Sequence, residues 1–284
     1  MMVALRNALV GIKKQESGYW GLCFTAEEAN SSIKLYKSVG TPPAALFSIS
    51  YDGQIWQDYT EGDVIALTNV GDKVYFAARE NTTNTKICGN ARQVRKFTTT
   101  GLLAASGNIM SLFVNDEAQW QNVQIKGTIR QLFNDATITT APELPAMDLS
   151  SADIGVYNGL FLNCSTLRIG PSILPETHSY ANCYGGMFNG CSSLIKAPEI
   201  MLTENTSNGC LAAMFYGCTS LTEVKVHFTS WNLYGGLYTT RQWMYDVSSN
   251  GTLHCPVELG TNETIQRDIT GNYCPEGWTV INDV

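Results

Sequence analysis

The chain has 284 residues, of which 44% are hydrophobic and only 15% are charged, and its formal net charge is −7. Soluble domains carry about 25% charged residues, so this surface must consist largely of uncharged polar side chains. The negative net charge argues against a nucleic-acid-binding platform, because few cations are available to neutralise phosphates. No stretch reaches the roughly 18 consecutive apolar residues that a transmembrane helix requires.

Residues 1–18 are predicted to form an N-terminal arm. Its apolar residues Leu9, Val10 and Ile12 could dock the protein by adding a strand to a sheet edge, in this molecule or another. A first strand of the chain's own sheet, or a frayed terminus, is the alternative. The arm lacks the long apolar stretch and small-residue cleavage site of a signal peptide, so Sec export is not expected.

Residues 19–106 are predicted to form a small β-sandwich, because about seven short strand-like runs follow one another at intervals of about 8–12 residues. Asp52-Gly53 between two runs indicates a hairpin. Residues 63–67 and 73–79 should pair through a loop in which Gly71 adopts positive φ. A last pair is expected around residues 94–97 and 103–105.

Residues 107–284 are predicted to form a solenoid. The pattern Met/Leu-Phe-x-Gly/Asn-Cys-Ser/Thr-Ser/Thr-Leu occurs three times, with cysteine separations of 191 − 164 = 27 and 218 − 191 = 27. A fixed period of this size indicates repeats that bury their apolar faces only against their neighbours. The predicted structural core of the repeats comprises Phe161, Cys164, Leu167, Cys183, Phe188, Cys191, Leu194, Cys210, Phe215, Cys218 and Leu221.

Each repeat should contain one short helix and one strand. Leu211, Met214 and Phe215 have helical spacing, and Gly217 suits the position after a helix C-terminus. Residues 221–226 alternate and should stack on their equivalents as a narrow parallel sheet. Irregular entry coils are expected from residue 107, and Trp278 should cover the open end of the core.

Five of the nine cysteines lie on the repeat lattice and favour a ladder of buried free thiols, because buried thiols behave as small hydrophobic groups. Disulfides within or between coils are an alternative. Zinc is less favoured, because no CxxC pair occurs and the three histidines lack ligand spacing. No metal site or cofactor is predicted.

Enzymatic activity is not predicted, because the chain contains no P-loop, GxSxG, HExxH or EF-hand pattern. Most aromatic residues in the repeats are expected to pack in the core or between coils, with a ligand-facing strip for sugar or protein as the alternative. The aromatic residues considered for this strip are Tyr180, Tyr184, Trp231, Tyr234, Tyr238 and Trp243.

The Met-Phe-x-Gly-Cys-Ser/Thr-Ser-Leu units resemble BspA-type leucine-rich repeats. One of these units is followed by Ala-Pro-Glu, which strengthens the resemblance. The closing segments at residues 243–256 and 275–280 resemble the same family. With residues 24–30 and 50–56, the chain is similar to proteins encoded by gut Bacteroidales and their phages, including crAss-like phages. The resemblance covers roughly residues 107–282 and implies a mainly β fold with short helices, made of an N-terminal sandwich and a leucine-rich-repeat-like solenoid.

The resemblance implies a binding or structural role. We expect a phage virion protein, such as a head fibre, capsid decoration or tail accessory, because a signal peptide and lipobox are missing. Its N-terminal part would contact other virion proteins, and the repeats would bind a host-surface protein or glycan. The alternative is a bacterial cell-surface adhesin; homo-oligomers are compatible with either, whereas nucleic acid and a membrane span are not expected.

Overall fold

A computed structural model describes residues 21–37, 46–79, 95–116, 118, 120, 129–144, 155–174, 183–202, 209–231 and 239–284. These residues form fourteen strands and a 3₁₀ helix (Ile109–Leu112), and the chain is mainly β, as predicted. The strands are β1 Cys23–Ala26, β2 Ser31–Lys37, β3 Phe47–Ser50, β4 Gln57–Tyr59, β5 Ile65–Leu67, β6 Lys73–Ala78, β7 Arg95–Thr100, β8 Leu103–Ser106, β9 Ile138–Thr140, β10 Ile173–Leu174, β11 Glu199–Ile200, β12 Glu223–Lys225, β13 Gly251–His254 and β14 Trp278–Ile281. Within the described ranges, no helix has the length and apolar character needed to cross a membrane.

The N-terminal strands form two sheets that contact each other through phenylalanine rings. One sheet has the order β4-β3-β6-β1-β8-β9 and the other the order β5-β2-β7. Phe24 and Phe76 belong to the first sheet, and Phe97 belongs to the second. The ring of Phe97 lies 4.9 Å from that of Phe24 and 5.1 Å from that of Phe76 between centroids. All three rings are buried, so they form the core between the sheets.

Two predicted strand pairs are wrong, although the strands themselves exist. β5 pairs with β2, whereas β6 pairs with β1 and β3 in the other sheet. Similarly, β7 pairs with β2 and β8 pairs with β1. The chain crosses between the sheets from β5 to β6 and from β7 to β8, and the loop containing Gly71 (φ 90°) makes the first of these crossings. The Asp52-Gly53 hairpin between β3 and β4 is confirmed.

A parallel ladder of strands and bridges extends from the edge of the six-stranded sheet to the end of the chain. β9 pairs parallel with β8, and β12, β13 and β14 pair parallel with one another. Isolated parallel bridges connect the two groups across the intervening coils. One row of residues in register along this ladder is Thr140, Ile169, Lys196, Glu223, Thr252 and Thr279. The N-terminal sheet and the repeats therefore share continuous hydrogen bonding across the proposed boundary at residue 106.

The predicted helix in each repeat is wrong, because residues 211–217 form consecutive turns. Ala213 and Gly217 have φ values of 52° and 73°, which lie in the left-handed region and interrupt a right-handed helix. The amide of Met214 donates to the carbonyl three residues earlier (3.1 Å). The amide of Phe215 instead donates to the next coil (2.7 Å). Alternate amides thus bond within and between coils, which satisfies this backbone without a helix.

The phenylalanines of the repeats stack along the molecule. The rings of Phe133, Phe161, Phe188 and Phe215 have successive centroid separations of 5.1, 5.4 and 5.7 Å and interplanar angles of 10–15°. Phe97 from the N-terminal sheets continues the stack, 5.4 Å from Phe133. One apolar core therefore spans both regions.

The repeat cysteines occupy a defined hydrogen-bonding position. The thiols of Cys164, Cys191 and Cys218 donate to the carbonyl of the core phenylalanine 30 or 31 residues earlier, at Sγ–O distances of 2.9, 3.0 and 3.1 Å. Eight cysteines are described; all are free and buried. The predicted burial of free thiols is confirmed for the five cysteines of the repeat lattice, which are Cys164, Cys183, Cys191, Cys210 and Cys218.

The C-terminal end of the core is covered by aromatic residues. Trp278 is buried, as predicted, and its ring lies against Gly251, where an added Cβ would come within 2.5 Å of the indole. The outer edge of β14 is occupied by side chains. The Asn262 Oδ1 atom accepts from the amide of Val280 (3.1 Å), and Arg267 Nη1 donates to the carbonyl of Trp278 (2.8 Å).

Candidate functional site

The outer face of the parallel ladder contains a groove of about 610 Å³, located where the N-terminal sheets meet the first repeats. Glu27 contributes from the turn after β1, and the remaining lining comes from three successive rungs of the ladder. The principal lining side chains are Glu27, Thr139, Arg168, Ile169, Ile195 and Lys196. The groove therefore combines residues that are distant in sequence and depends on the junction between the two regions.

Two isoleucines give this groove an apolar surface. Ile169 is 62% exposed and Ile195 is 45% exposed. Strict alternation does not hold here, because the adjacent charged residues Arg168 and Lys196 are exposed as well. Exposed apolar side chains grouped in a concave surface are typical of binding sites.

Charged side chains border the apolar surface of the groove. Thr139 Oγ1 donates to Glu27 Oε2 (2.7 Å), which ties the β1 turn to the ladder. Lys196 Nζ lies 2.5 Å from Glu223 Oε1. Arg168 adds an exposed cation at the groove wall. The groove thus presents both signs of charge around an apolar centre. This arrangement suits a binding partner whose surface is partly polar and partly apolar.

A second charged cluster lies further along the ladder. Glu199 Oε1 is 2.7 Å from His227 Nε2 and 3.1 Å from Lys225 Nζ. Partial burial alone would raise the pKa of the Glu199 carboxyl, but the hydrogen bonds from His227 and Lys225 prevail and lower it. The cluster therefore contains an ionised carboxylate that is already partnered, which suits bridging between coils.

Three of the six aromatic residues considered for a ligand-facing strip lie in the core. Tyr184 is buried and stacks on Tyr157 at 5.5 Å. Trp231 is 9% exposed and packs edge-on against Trp243, which is also buried, so both prolong the core. For these three residues core packing is confirmed, and a ligand-facing position is wrong. Three further predicted aromatics and the three arm residues lie outside the described residues: Tyr180, Tyr234, Tyr238, Leu9, Val10 and Ile12.

The sequence analysis missed an aromatic pair that is at the surface. The rings of Tyr216 and Tyr245 stack with centroids 5.0 Å apart and an interplanar angle of 25°. Tyr245 is 39% exposed, and Tyr216 is partly exposed. Residues with positive φ recur every four positions, at Gly209, Ala213 and Gly217. A prediction of turns with this spacing, in place of a helix, would have placed Tyr216 outward. The helical interpretation concealed it.

The thiols of the repeats are unreactive in this environment. Burial raises the pKa of Cys164 to about 12 and also raises the pKa of Cys191 and Cys218. Thiolate formation is therefore suppressed near neutral pH, and nucleophilic or metal-binding chemistry requires the thiolate. Across the part of the chain that the structure describes, no group of three or more His, Cys, Asp or Glu side chains has the geometry to hold a metal ion.

Comparisons of the chain with protein-family models, with curated proteins and with solved structures each found no match.

Proposed function

We propose that this protein is a phage virion structural protein, a head fibre, capsid decoration or tail accessory, whose repeats display a binding surface. In this proposal residues 19–106 form a β-sandwich and residues 107–284 form a solenoid of BspA-type leucine-rich repeats. The N-terminal part docks on the particle, and the repeats contact the host surface or mucosal material. The motif resemblance supports the assignment of the repeats.

The observation that carries the proposal is the groove at the junction of the two regions. Its exposed isoleucines, Ile169 and Ile195, are held by a ladder whose hydrogen bonds continue from one region into the other. A binding surface on such a scaffold keeps its shape because each rung is fixed by its neighbours. Rigid presentation of this kind limits the entropy lost when a partner binds.

The virion assignment is tested by quantitative mass spectrometry of particles purified by density gradient. We expect peptides of this chain at a fixed ratio to the major capsid protein, retained after high-salt washing. Their absence from particles, together with their release when intact bacterial cells are treated with protease, would instead establish the cell-surface adhesin.

The binding role of the groove is tested with the purified full-length protein and fluorescently counted host cells. Ile169→Asp and Ile195→Asp should each lower the bound fraction at least several-fold, because a charge replaces an apolar contact. Ile269→Asp is the control, since Ile269 is also exposed (78%) but lies outside the groove. Unchanged binding by both groove variants would refute this part of the proposal.

A further inference from the structure

The exposed tyrosines belong to an aligned row on the turn side of the repeats. The row contains one residue from each coil. The residue that follows it in the chain donates its backbone amide to the carbonyl of the row residue one coil later. The four bonds start at Asp135, Asn163, Gly190 and Gly217 and measure 2.9, 2.7, 2.8 and 2.9 Å. The row so defined, named here the turn row, consists of Asn134, Leu162, Asn189, Tyr216 and Tyr245.

The tyrosine pair is unlike the aromatic stacks of the core. Tyr157 and Tyr184 stack in a similar way but are buried, so their rings stabilise the interior. Tyr216 and Tyr245 occupy an outward position and expose ring surface to solvent. Neither phenolic hydroxyl has a hydrogen-bond partner among the described residues. Core packing therefore does not account for two aromatic rings at this position.

Among the described residues, Tyr245 is the only aromatic partner of the Tyr216 ring. The row neighbour of Tyr216 in the preceding coil is the shorter Asn189. Gly190 adds no side chain there: its φ is 78°, and an added Cβ would lie 2.5 Å from Asn163 Oδ1. The Asn163 amide is consequently held against Gly190, the residue that follows Asn189. Its Nδ2 donates to Asp135 Oδ1 (3.1 Å), which fixes the amide's orientation.

We propose that Tyr216, supported by Tyr245, is a stacking platform for a neutral saccharide, with Asn163 and Asn189 hydrogen-bonding its hydroxyls. A pyranose ring has an apolar C–H face that packs on an aromatic ring and a rim of hydroxyls that suits carboxamides, which both donate and accept. The proposal rests on the display function proposed above and specifies the ligand class of the repeat surface.

The charges near the turn row favour a neutral sugar over an acidic one. Asp135 and Asp246 directly follow row residues in their coils, and Asp246 is exposed. Lys96 bonds to Asp135 (2.7 Å) and so its charge is already partnered. Acidic sugars would be repelled by the carboxylate of Asp246 next to Tyr245.

The test uses the full-length protein and isothermal titration calorimetry with defined probes: maltohexaose, cellohexaose, a neutral N-acetyllactosamine tetrasaccharide and its sialylated form. We expect at least one neutral probe to bind, and Tyr216→Ala to weaken it about tenfold, the loss of one stacked ring. Tyr216→Phe should bind within about twofold of the original protein, because the ring remains. Tyr51→Ala is the matched control, since Tyr51 is 54% exposed on the N-terminal sheets.

The proposal is overturned if no neutral probe binds, or if Tyr216→Ala binds as tightly as the original protein with an unchanged circular dichroism spectrum. Loss of sugar binding in Ile169→Asp with none in Tyr216→Ala would also overturn it, because the ligand would then occupy the groove. The virion assignment is decided separately: presence in particles without sugar binding refutes only the saccharide site, and sugar binding by a protein absent from particles refutes only the virion assignment.

Discussion

The same residue type packs in two different ways in the two regions of the molecule. In the N-terminal sheets, Phe76 meets Phe24 and Phe97 at interplanar angles of 87° and 77°. In the repeats, Phe161, Phe188 and Phe215 stack at 10–12°. Phe24 and Phe76 lie in one sheet and Phe97 in the facing sheet, and neither relation aligns the rings, whereas each repeat places its ring in the orientation of the previous one. Repetition along the ladder therefore fixes the angle between neighbouring rings, which the packing preferences of aromatic side chains alone do not determine.

The largest expected effect comes from removing one ring from each arrangement. Phe188→Ala and Phe76→Ala should each lower the free energy of unfolding by about 3–5 kcal/mol, because both leave a buried cavity. They should differ in cooperativity. Loss of Phe188 uncouples coils that touch only their neighbours, so urea unfolding followed by circular dichroism should become biphasic. Phe76→Ala should give one sharp transition at lower urea. A sharp single transition in both variants would show that the regions do not differ in this way.

The second-largest effect is expected at alkaline pH, which should lower the folding stability because the buried thiols resist ionisation. The pKa of Cys164 is raised from 9.0 to about 12, so the neutral thiol is favoured by folding. This stabilisation is complete below about pH 9 and is lost as the pH rises towards 12, because unfolded thiols ionise first. At pH 10 each such thiol should cost about 1.4 kcal/mol.

The measurement for this effect is the urea midpoint between pH 7 and 10.5. Cys164→Ser provides the comparison, because a serine hydroxyl does not ionise in this range. Its stability should fall less steeply with pH than that of the original protein. Equal slopes in the two proteins would mean that Cys164 does not contribute.

A smaller effect is expected from the thiol as a hydrogen-bond donor. Cys191→Val keeps the shape but removes the donor to the carbonyl of Phe161, and should cost about 1 kcal/mol. Cys191→Ser should recover part of this loss. Cys255→Val is the control, because its thiol is 3.8 Å from the carbonyl of Gly260 and bonds weakly. Thermal unfolding of the four proteins gives the comparison, and equal losses for Cys191→Val and Cys255→Val would contradict the donor role.

The smallest effect should come from the ion pair that joins the two regions. Lys96 of β7 donates to Asp135 of the first described coil (2.7 Å), and this bond lowers the pKa of Asp135. Asp135→Asn should cost at most about 1 kcal/mol at neutral pH, because the pair is largely exposed. The stabilisation is present above about pH 4 and disappears as the acid lowers the pH through the folded-state pKa. Chemical denaturation should therefore show a larger difference between the two proteins at pH 7 than at pH 3.

The predictability of the fold follows from how local each feature is. Strands such as β2 and the Asp52-Gly53 hairpin depend on neighbouring residues and were found from alternation and turn type. The 27-residue spacing located the stacked cysteines. The pairings of β5 and β6 were missed because a loop's sequence does not state whether it crosses between sheets.

The turns of the repeat were mistaken for a helix because the two structures place apolar residues similarly. Met214 and Phe215 point inward in either case, while the positive φ of Ala213 has no signal in its residue type. The site was missed for related reasons. Ile169 and Ile195 lack distinctive spacing, and their groove requires Glu27 from the other region.

The side chains on the outer edge of β14 have a consequence for assembly. A parallel ladder with a bare terminal strand would be a template on which another molecule's strands could continue, producing filaments. Asn262 and Arg267 occupy the amide and carbonyl that such a newcomer would use. Strand addition at this edge would have to displace both side chains, so β14 is protected against edge-to-edge pairing.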